Sequence, residues 1–209
     1  EGMAYGHVYH QAIGVHRLRI TASTEGGHSW HDYGRPSAVH GLVQLAAQIT
    51  MLSVPVSPKT TFNIGQIGGG TSVNTIAREA SLELDLRSED PDTLAELVGQ
   101  VESLIRDAVA PGLAVTHAVT SQRPPGSIPI DHPLVQLAAE SLRTLGTEPV
   151  YERGSTDANI PLSLGLPAVV IGLCKGSHAH RPDEYIETNM LENGMKQLLR
   201  VVLGAYTLP

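Results

Sequence analysis

The sequence predicts two folds in succession, an α+β domain and then part of an α/β domain. Between residues 15 and 122, the hydrophobic pattern gives the order strand, helix, strand, strand, helix, strand. This is the split β-α-β order of a ferredoxin-like domain, in which helices cover one face of a four-stranded antiparallel sheet. Beyond residue 122, short apolar strands alternate with helices, which is typical of a parallel α/β sheet.

The strands of the first domain are predicted from side chains that alternate between apolar and polar. In residues 15–23, Leu18, Ile20 and Ala22 alternate with arginine and threonine, and residues 77–87 repeat this period of two. We predict the remaining two strands at residues 60–67 and 113–120.

Two amphipathic helices are predicted between these strands. The first opens at Pro36, and the second follows the N-cap residue Asp90, with Pro91 at its first position. Apolar residues recur three and four apart in both, which predicts one buried stripe on each helix. The stripes are Val39, Leu42, Val43, Ala46 and Ile49 in the first, and Leu94, Leu97, Val98, Val101, Leu104, Ile105 and Ala108 in the second.

The second part of the chain begins with QRPPGSIPI, residues 122–130, a proline-rich stretch that predicts a crossover between domains. Two short strands do not make a sheet, so we expect its other strands to come from elsewhere. The predicted elements are a helix from Asp131 to about Leu145, a strand at 150–151, a helix at 159–164, a buried strand at 168–171, and a helix capped by Thr188 that buries Leu191, Met195, Leu198 and Val202.

The composition is that of a globular protein. Hydrophobic residues make up 41% of the chain and charged residues 17%, and the net charge of −7 argues against binding of nucleic acid or anionic membranes. No run approaches the roughly 18 apolar residues of a membrane span. The single cysteine, Cys174, excludes an internal disulfide framework and favours a reducing compartment, the cytoplasm.

Polar loops follow both strands of the second part. In GSHAHRPDEYIE, His180 and Glu184 stand four apart beside His178, which is a plausible metal ligand with its neighbours. In GSTDANIP, small residues would let backbone amides approach a ligand near Asp157. The plainer alternatives are a polar surface loop in the first case and a helix cap by Asp157 or Thr156 in the second.

The first domain carries three further candidates. His28 precedes the first helix and could meet a substrate, and Asn74 ends the glycine-rich run IGGGTSVN. Arg87 could hold a carboxylate by two parallel hydrogen bonds, or form a surface ion pair with an acidic neighbour such as Asp85. The glycine-rich run is not a nucleotide-binding loop, because no Lys-Ser or Lys-Thr follows it.

Together these segments resemble the dizinc metallopeptidase family M20, which includes aminoacylase, peptidase T and bacterial glutamate carboxypeptidase. The resemblance covers essentially the whole chain. In that family a ferredoxin-like lid, often also the dimerisation surface, is inserted into an α/β zinc-binding catalytic domain. The segments are GVHRLRIT, GGHSWHDYGRPSAVHGL, FNIGQIGGGTSVNTIAREASLELDLRSE, GSTDANIPLSLGLPAVVIG and AHRPDEYIE.

The resemblance implies a domain for each segment and a role for each lid candidate. Residues 1–13 would end the first catalytic half, 14–122 would be the lid and dimerisation domain, and 123–209 the C-terminal part of the catalytic domain. His28 would stabilise the oxyanion that develops on the substrate, frequently across a homodimer. Asn74 and Arg87 would hold the substrate's carboxylate.

The catalytic domain would supply the metal ligands and the pocket. His180 is similar to the last zinc ligand, with Glu184 in the same segment, and Glu1 is similar to the carboxylate that binds the other zinc. Gly154 and Asp157 would line the pocket. Two divalent ions, zinc, are therefore the implied cofactor of the intact protein.

The implied activity is metal-dependent hydrolysis of amide bonds in small peptides, of the dipeptidase or tripeptidase type. The family also needs a His-x-Asp pair, a bridging Asp and a Glu-Glu pair before the lid, which this sequence lacks. We therefore expect the chain to be a truncated, inactive form with metal absent or weakly bound. Hydrolysis of N-acyl or N-carbamoyl amino acids uses the same residues and stays open, as does a non-catalytic dimerisation or binding module.

Overall fold

The computed structural model describes residues 2–179 and 181–208. Its strands are β1 (His7–Ala12), β2 (Gly14–Ser23), β3 (Gly27–His28), β4 (Thr60–Gly69), β5 (Thr75–Ile76), β6 (Glu79–Ser88), β7 (Ala114–Arg123), β8 (Gly126–Ser127), β9 (Val150–Gly154), β10 (Val170–Ile171), β11 (Gly176–Ser177) and β12 (Tyr185–Ile186). Its helices are α1 (Ala38–Thr50), α2 (Pro91–Asp107), α3 (Pro133–Thr144), α4 (Asn159–Ser163) and α5 (Leu191–Ala205), the last preceded by a 3-10 turn at Thr188–Met190.

The chain divides into two compact units, one formed by Gly14–Arg123 and the other by the segments on either side of it. In the first unit, four strands form an antiparallel sheet in the order β4-β6-β2-β7. With α1 between β2 and β4, and α2 between β6 and β7, the predicted ferredoxin-like order is confirmed. A separate short ladder of β3 and β5 has no counterpart in the sequence prediction.

The core of this unit lies between the sheet and its two helices. Full burial of one leucine or isoleucine contributes about 1.5–3 kcal/mol, so this cluster dominates the unit's stability. Its largest fully buried members are Leu18 and Ile20 of β2, Leu82, Leu84 and Leu86 of β6, Leu42, Leu45 and Ile49 of α1, and Val101 of α2.

The start of α2 confirms its predicted cap, whereas α1 differs from its prediction in two ways. The helix begins at Ala38 rather than at Pro36. Val43 is 53% exposed, and Leu45 takes its place in the core. The reason is rotational, since Leu42, Leu45 and Ile49 are three and four apart and share one face, while Val43 is turned about 100° from Leu42.

The second unit contains a mixed sheet centred on β1. β1 pairs with β9 in parallel and with β8 and β10 in antiparallel fashion, so the prediction of a parallel sheet holds only for the β1–β9 pair. Two of these strands, β1 and β8, were not predicted. The core includes Val8 of β1 and Val135, Ala138 and Leu142 of α3. α3 is capped by His132, whose Nδ1 accepts from Leu134 N–H at 3.1 Å, and not by Asp131.

The helix α5 packs on a different face from the predicted one. Its buried positions are Gly194, Gln197 and Val201, whereas Met195 and Val202 are 47% and 45% exposed. A Cβ at Gly194 would collide with the Leu173 carbonyl, so the helix approaches its neighbour through the smallest side chain available. Throughout the described residues, no helix is both long and apolar enough to cross a bilayer.

Candidate functional site

The short β3–β5 ladder brings two of the predicted lid residues together. His28 stands opposite Thr75 in the antiparallel register, and Ser29 N–H donates to the Asn74 carbonyl at 3.0 Å. The Asn74 side chain accepts from the Ser72 hydroxyl at 2.8 Å. His28 and Asn74 are both exposed, and the ladder with its adjoining backbone hydrogen bond joins the two segments that carry them.

The imidazole of His28 is held in one tautomer by the loop that follows it. Trp30 N–H donates to His28 Nδ1 at 3.2 Å, and the backbone N–H of His28 donates to Asp32 Oδ2 at 2.8 Å. The His31 ring packs against it with centroids 4.8 Å apart. Since Nδ1 accepts, a neutral ring carries its proton on Nε2 and can donate it outward. Such a donor is suited to polarise a substrate carbonyl.

Arg87 lies near the end of β6, in the four-stranded sheet, to which the β3–β5 ladder does not belong. β6 leads away from the β3–β5 ladder, and Arg87, next to its last residue, stands opposite Val15 in β2. At about 3.3 Å per residue, the strand between Arg78 and Arg87 spans roughly 30 Å. A single copy of the chain therefore does not bring Arg87 to His28 and Asn74.

Arg87 takes part in an ion-pair network on the exposed sheet face, which was the alternative reading of this residue. Its Nε donates to Asp85 Oδ2 at 2.6 Å, and Arg17 Nε donates to Asp85 Oδ1 at 2.7 Å. Partial burial opposes ionisation of Asp85, but the hydrogen bonds and charges of Arg17 and Arg87 together lower its pKa. The bond uses only Nε, so the terminal Nη groups of Arg87 take no part in it.

The other two predicted pocket residues lie in the second unit, on the loop after β9. Gly154 ends the strand, and its carbonyl accepts from Ile13 N–H at 2.8 Å. A Cβ at Gly154 would come 3.1 Å from the Tyr9 ring, so a larger residue would push this ring aside. Asp157 is exposed and precedes α4. The N-cap residue of α4 is Ala158 rather than either alternative, Asp157 or Thr156, and the Thr156 hydroxyl accepts from Ala158 N–H at 3.2 Å.

Asn159 organises this loop and was missed by the sequence interpretation. Its side chain is fully buried, and its Nδ2 donates to the Ile13 carbonyl at 2.8 Å and to the Pro124 carbonyl at 2.9 Å. Its Oδ1 accepts from Thr156 N–H at 2.8 Å. The only signal in the sequence is an amide side chain directly after Asp157–Ala158, which does not reveal partners so distant in the chain.

Both predicted metal ligands, Glu1 and His180, fall outside the described residues. The described residues hold no group of three or more His, Cys, Asp or Glu side chains placed to bind a metal ion. Close to position 180, His178 Nδ1 lies 2.8 Å from Asp183 Oδ2, and the Tyr185 ring packs edge-on against His178. His178 also has a φ of 63°, which is uncommon for a residue with a side chain.

Comparison with known proteins identifies the first unit. Residues 13–112 match the family described as the peptidase dimerisation domain. Curated relatives include acetylornithine deacetylase of Salmonella typhi, 32% identical over 151 residues, and that of Shigella sonnei, 31% identical over 156 residues. Each alignment covers 69% of this chain and 37% of the relative, so the chain spans about 37% of the length of these enzymes.

Solved structures share the fold over almost the whole chain. A tripeptidase from Staphylococcus aureus has a TM-score of 0.79 at 24% identity, and the aminopeptidase PepT from Bacillus cereus has 0.78 at 16%. Both comparisons cover 96% of this chain and 54% of the other. The family match over residues 13–112 and the curated relatives show that this chain belongs to the M20 peptidase family and carries its dimerisation, or lid, domain.

Proposed function

We propose that the protein hydrolyses amide bonds of small peptides or acyl amino acids, and that this chain's lid binds the substrate. The observation that carries the proposal is the hydrogen bond from Trp30 N–H to His28 Nδ1, because it leaves Nε2–H as an outward donor. Such a donor, aimed at the carbonyl oxygen, stabilises the negative charge that grows there as the amide is attacked. Asn74, on the same ladder, supplies a second hydrogen-bonding group.

The site is proposed to need two copies of the chain. His28 and Asn74 lie together, but Arg87 is roughly 30 Å away along β6. A substrate the size of a dipeptide or tripeptide does not span that distance, so its carboxylate would be held by Arg87 of a second copy. A homodimer formed through the lid accounts for this separation, and the dimerisation domain matched over residues 13–112 supports it.

Two divalent ions, zinc, are part of the proposal as the source of an activated water and of a Lewis acid. Glu1 and His180 are the residues proposed to bind them. The described side chains act on the substrate in this scheme, as donor at the carbonyl and as holder of the carboxylate. A cytoplasmic location is proposed with it, in keeping with the one unpaired, buried cysteine.

The relatives favour two substrate classes. The deacetylases act, by their name, on acetylornithine, and the structural neighbours include a tripeptidase. We place small peptides first, as the resemblance implies, and N-acyl and N-carbamoyl amino acids second. Release of free amine from Ala-Ala-Ala, N-acetylornithine and an N-carbamoyl amino acid, by the protein as its gene encodes it with Zn²⁺ present, decides between them. Absence of hydrolysis in all three would favour the non-catalytic binding module instead.

The role of His28 is tested in the same assay. His28→Ala should lower kcat by about 10²–10³-fold, as loss of one oxyanion donor does, with little change in KM. The matched control is His31→Ala, because His31 neighbours His28 and lies outside the proposed contact. A kcat for His28→Ala within the error of the His31→Ala value would contradict the proposal.

The shared site is tested by mixing two variants. His28→Ala and Arg87→Ala should each be nearly inactive, and subunit exchange between them should restore about a quarter of wild-type activity, because half the dimers are mixed and each contains one intact site. Mixing Arg87→Ala with itself is the control. A mixture as inactive as its components would show that each site is built within one copy.

A further inference from the structure

A cavity of about 520 Å³ opens at the N-terminus of α1, within the lid. Ser37 and His40 line it from the start of the helix, Tyr33 and Arg35 from the preceding loop, and Val73 and Ile76 from the segment of β5. Pockets for small molecules are typically of this size and combine apolar walls with a few polar groups. No site residue predicted from the sequence lies in this lining.

The helix end at this cavity has unsatisfied donors. The first N–H groups of a helix have no partner within it. At α1, Ala38 N–H donates to the Ala77 carbonyl at 2.9 Å and Gly41 N–H to the Ser37 carbonyl at 3.0 Å, which leaves those of Val39 and His40. No side chain caps the helix, and its first turn contains no acidic residue. The positive end of the helix dipole is therefore uncompensated.

Ser37 places a hydroxyl without a protein partner at this cavity. It occupies the N-cap position with an extended backbone, φ −115° and ψ 131°, yet its hydroxyl makes no capping bond. Only 9% of the residue is exposed, and the structure gives its side chain no partner among the described residues. Its Oγ is not one of the described side-chain atoms that are both buried and unpartnered, so it is open to the cavity, and a ligand that enters can accept its hydrogen bond.

The polar groups that line the cavity favour an anion. Arg35 and His40 line it, and its lining includes no carboxylate. Arg35 is itself paired with Asp32, its Nη2 lying 3.1 Å from Oδ1, and Asp32 Oδ2 also accepts from His28 N–H at 2.8 Å. The remaining walls are apolar side chains, which suit the body of an organic molecule.

We propose that this cavity binds a small organic anion. Its carboxylate or phosphate group accepts hydrogen bonds from the Val39 and His40 N–H groups and from the Ser37 hydroxyl. Its apolar part contacts Val73, Ile76 and the Tyr33 ring. The cavity adjoins the β3–β5 ladder, because Ser29 and Thr75, the chain neighbours of His28 and Asn74, also line it, while His28 and Asn74 themselves do not.

The test uses backbone amide NMR of the full chain, titrated with sodium acetate, sodium benzoate or inorganic phosphate at constant ionic strength set by sodium chloride. We expect saturable shifts at Val39 and His40, with benzoate binding more tightly than acetate because it reaches the apolar walls. The amides of Asp92 and Thr93, at the capped start of α2, should not move. Comparison of acetate with phosphate identifies the preferred head group.

Two variants make the result specific to the cavity. Ser37→Ala should weaken binding about tenfold, as loss of one hydrogen bond to a charged group does. Ser37→Asp should abolish binding, because its carboxylate takes the place of the ligand while capping the helix. Shifts that chloride alone reproduces, shifts that do not saturate, or equal affinity in wild type and Ser37→Ala would overturn the proposal.

Discussion

The two helices that cover the lid sheet begin in different ways. At α2, the Asp90 carboxylate accepts from Thr93 N–H at 2.8 Å and from its hydroxyl at 2.7 Å, and Asp92 adds a negative charge in the first turn. At α1, Ser37 makes no such bond and no acid follows. Both helices bury apolar stripes, so packing holds each in place. The comparison indicates that α1 does not need its N-terminus for stability and can use it for binding.

The largest effect should come from packing, which the two helices share. Leu42→Ala in α1 removes a side chain that is 1% exposed and should lower the free energy of unfolding by about 2–5 kcal/mol. Val43→Ala, one residue further and 53% exposed, is the control and should change it by less than about 0.5 kcal/mol. Urea denaturation followed by circular dichroism measures both. Equal losses in the free energy of unfolding for the two variants would contradict the structure, because they would mean that α1 buries Val43 as deeply as Leu42.

The next effect should come from the cap of α2. The backbone N–H of Thr93, and then its hydroxyl, lower the pKa of Asp90, so the folded protein binds this proton less readily than the unfolded chain. The stabilisation is therefore present above the unfolded pKa, near 4, and is lost as the pH falls through the folded pKa. Asp90→Ala should lower Tm by a few degrees at neutral pH, and its difference from wild type should shrink in acid. Asp92→Asn is the control.

A smaller effect on the pH dependence of stability should come from His16, a buried histidine of β2 that lies near Glu102 of α2. Burial lowers its pKa most, the Glu102 charge on α2 opposes this, and the nearby His117 adds to the lowering. His16 is thus neutral in the folded state at a pH where the unfolded chain is already protonated. Stability is complete above about pH 6.5 and falls below it, until the folded pKa is reached. His16→Leu should flatten this fall in Tm between about pH 7 and 5, and His31→Ala should not.

The smallest effect on stability should come from the uncapped end of α1. Because the Ser37 hydroxyl has no partner in the structure, Ser37→Ala should change the free energy of unfolding by less than about 0.5 kcal/mol, although it should weaken anion binding. Ser37→Asp should raise Tm slightly by supplying the missing cap. Thermal unfolding without added anion measures both. If Ser37→Ala lowered Tm as much as Asp90→Ala does, the N-termini of α1 and α2 would contribute equally to stability, and the proposed difference between them would be wrong.

The lid was predictable because its periodicity is strong. β2 and β6 alternate cleanly, and Asp90–Pro91 marks the start of α2 by local chemistry alone. The second unit was harder, since β8, β10, β11 and β12 are two residues long and have no period to detect. Their pairing partners come from distant parts of the chain, as β1 with β10 shows.

The candidate site was predictable only residue by residue. His28 and Asn74 could be named from the sequence, but the β3–β5 ladder that joins them is a long-range contact. For Arg87 the sequence offered two roles; the structure shows the ion pair with Asp85, and the contact with a substrate carboxylate stays a prediction. Asn159 and the cavity at Ser37 depend on burial and on unmatched hydrogen bonds, which no pattern of residue types records.

Trp30, whose backbone holds the His28 ring, is the chain's one tryptophan and is 81% exposed. Its indole is already in contact with water in the native state, so its emission should shift little when the chain denatures. Any molecule or second copy that covers this loop would instead move the emission toward shorter wavelength. The chain therefore contains an intrinsic fluorophore whose emission reports binding beside His28 and changes little when the whole chain unfolds.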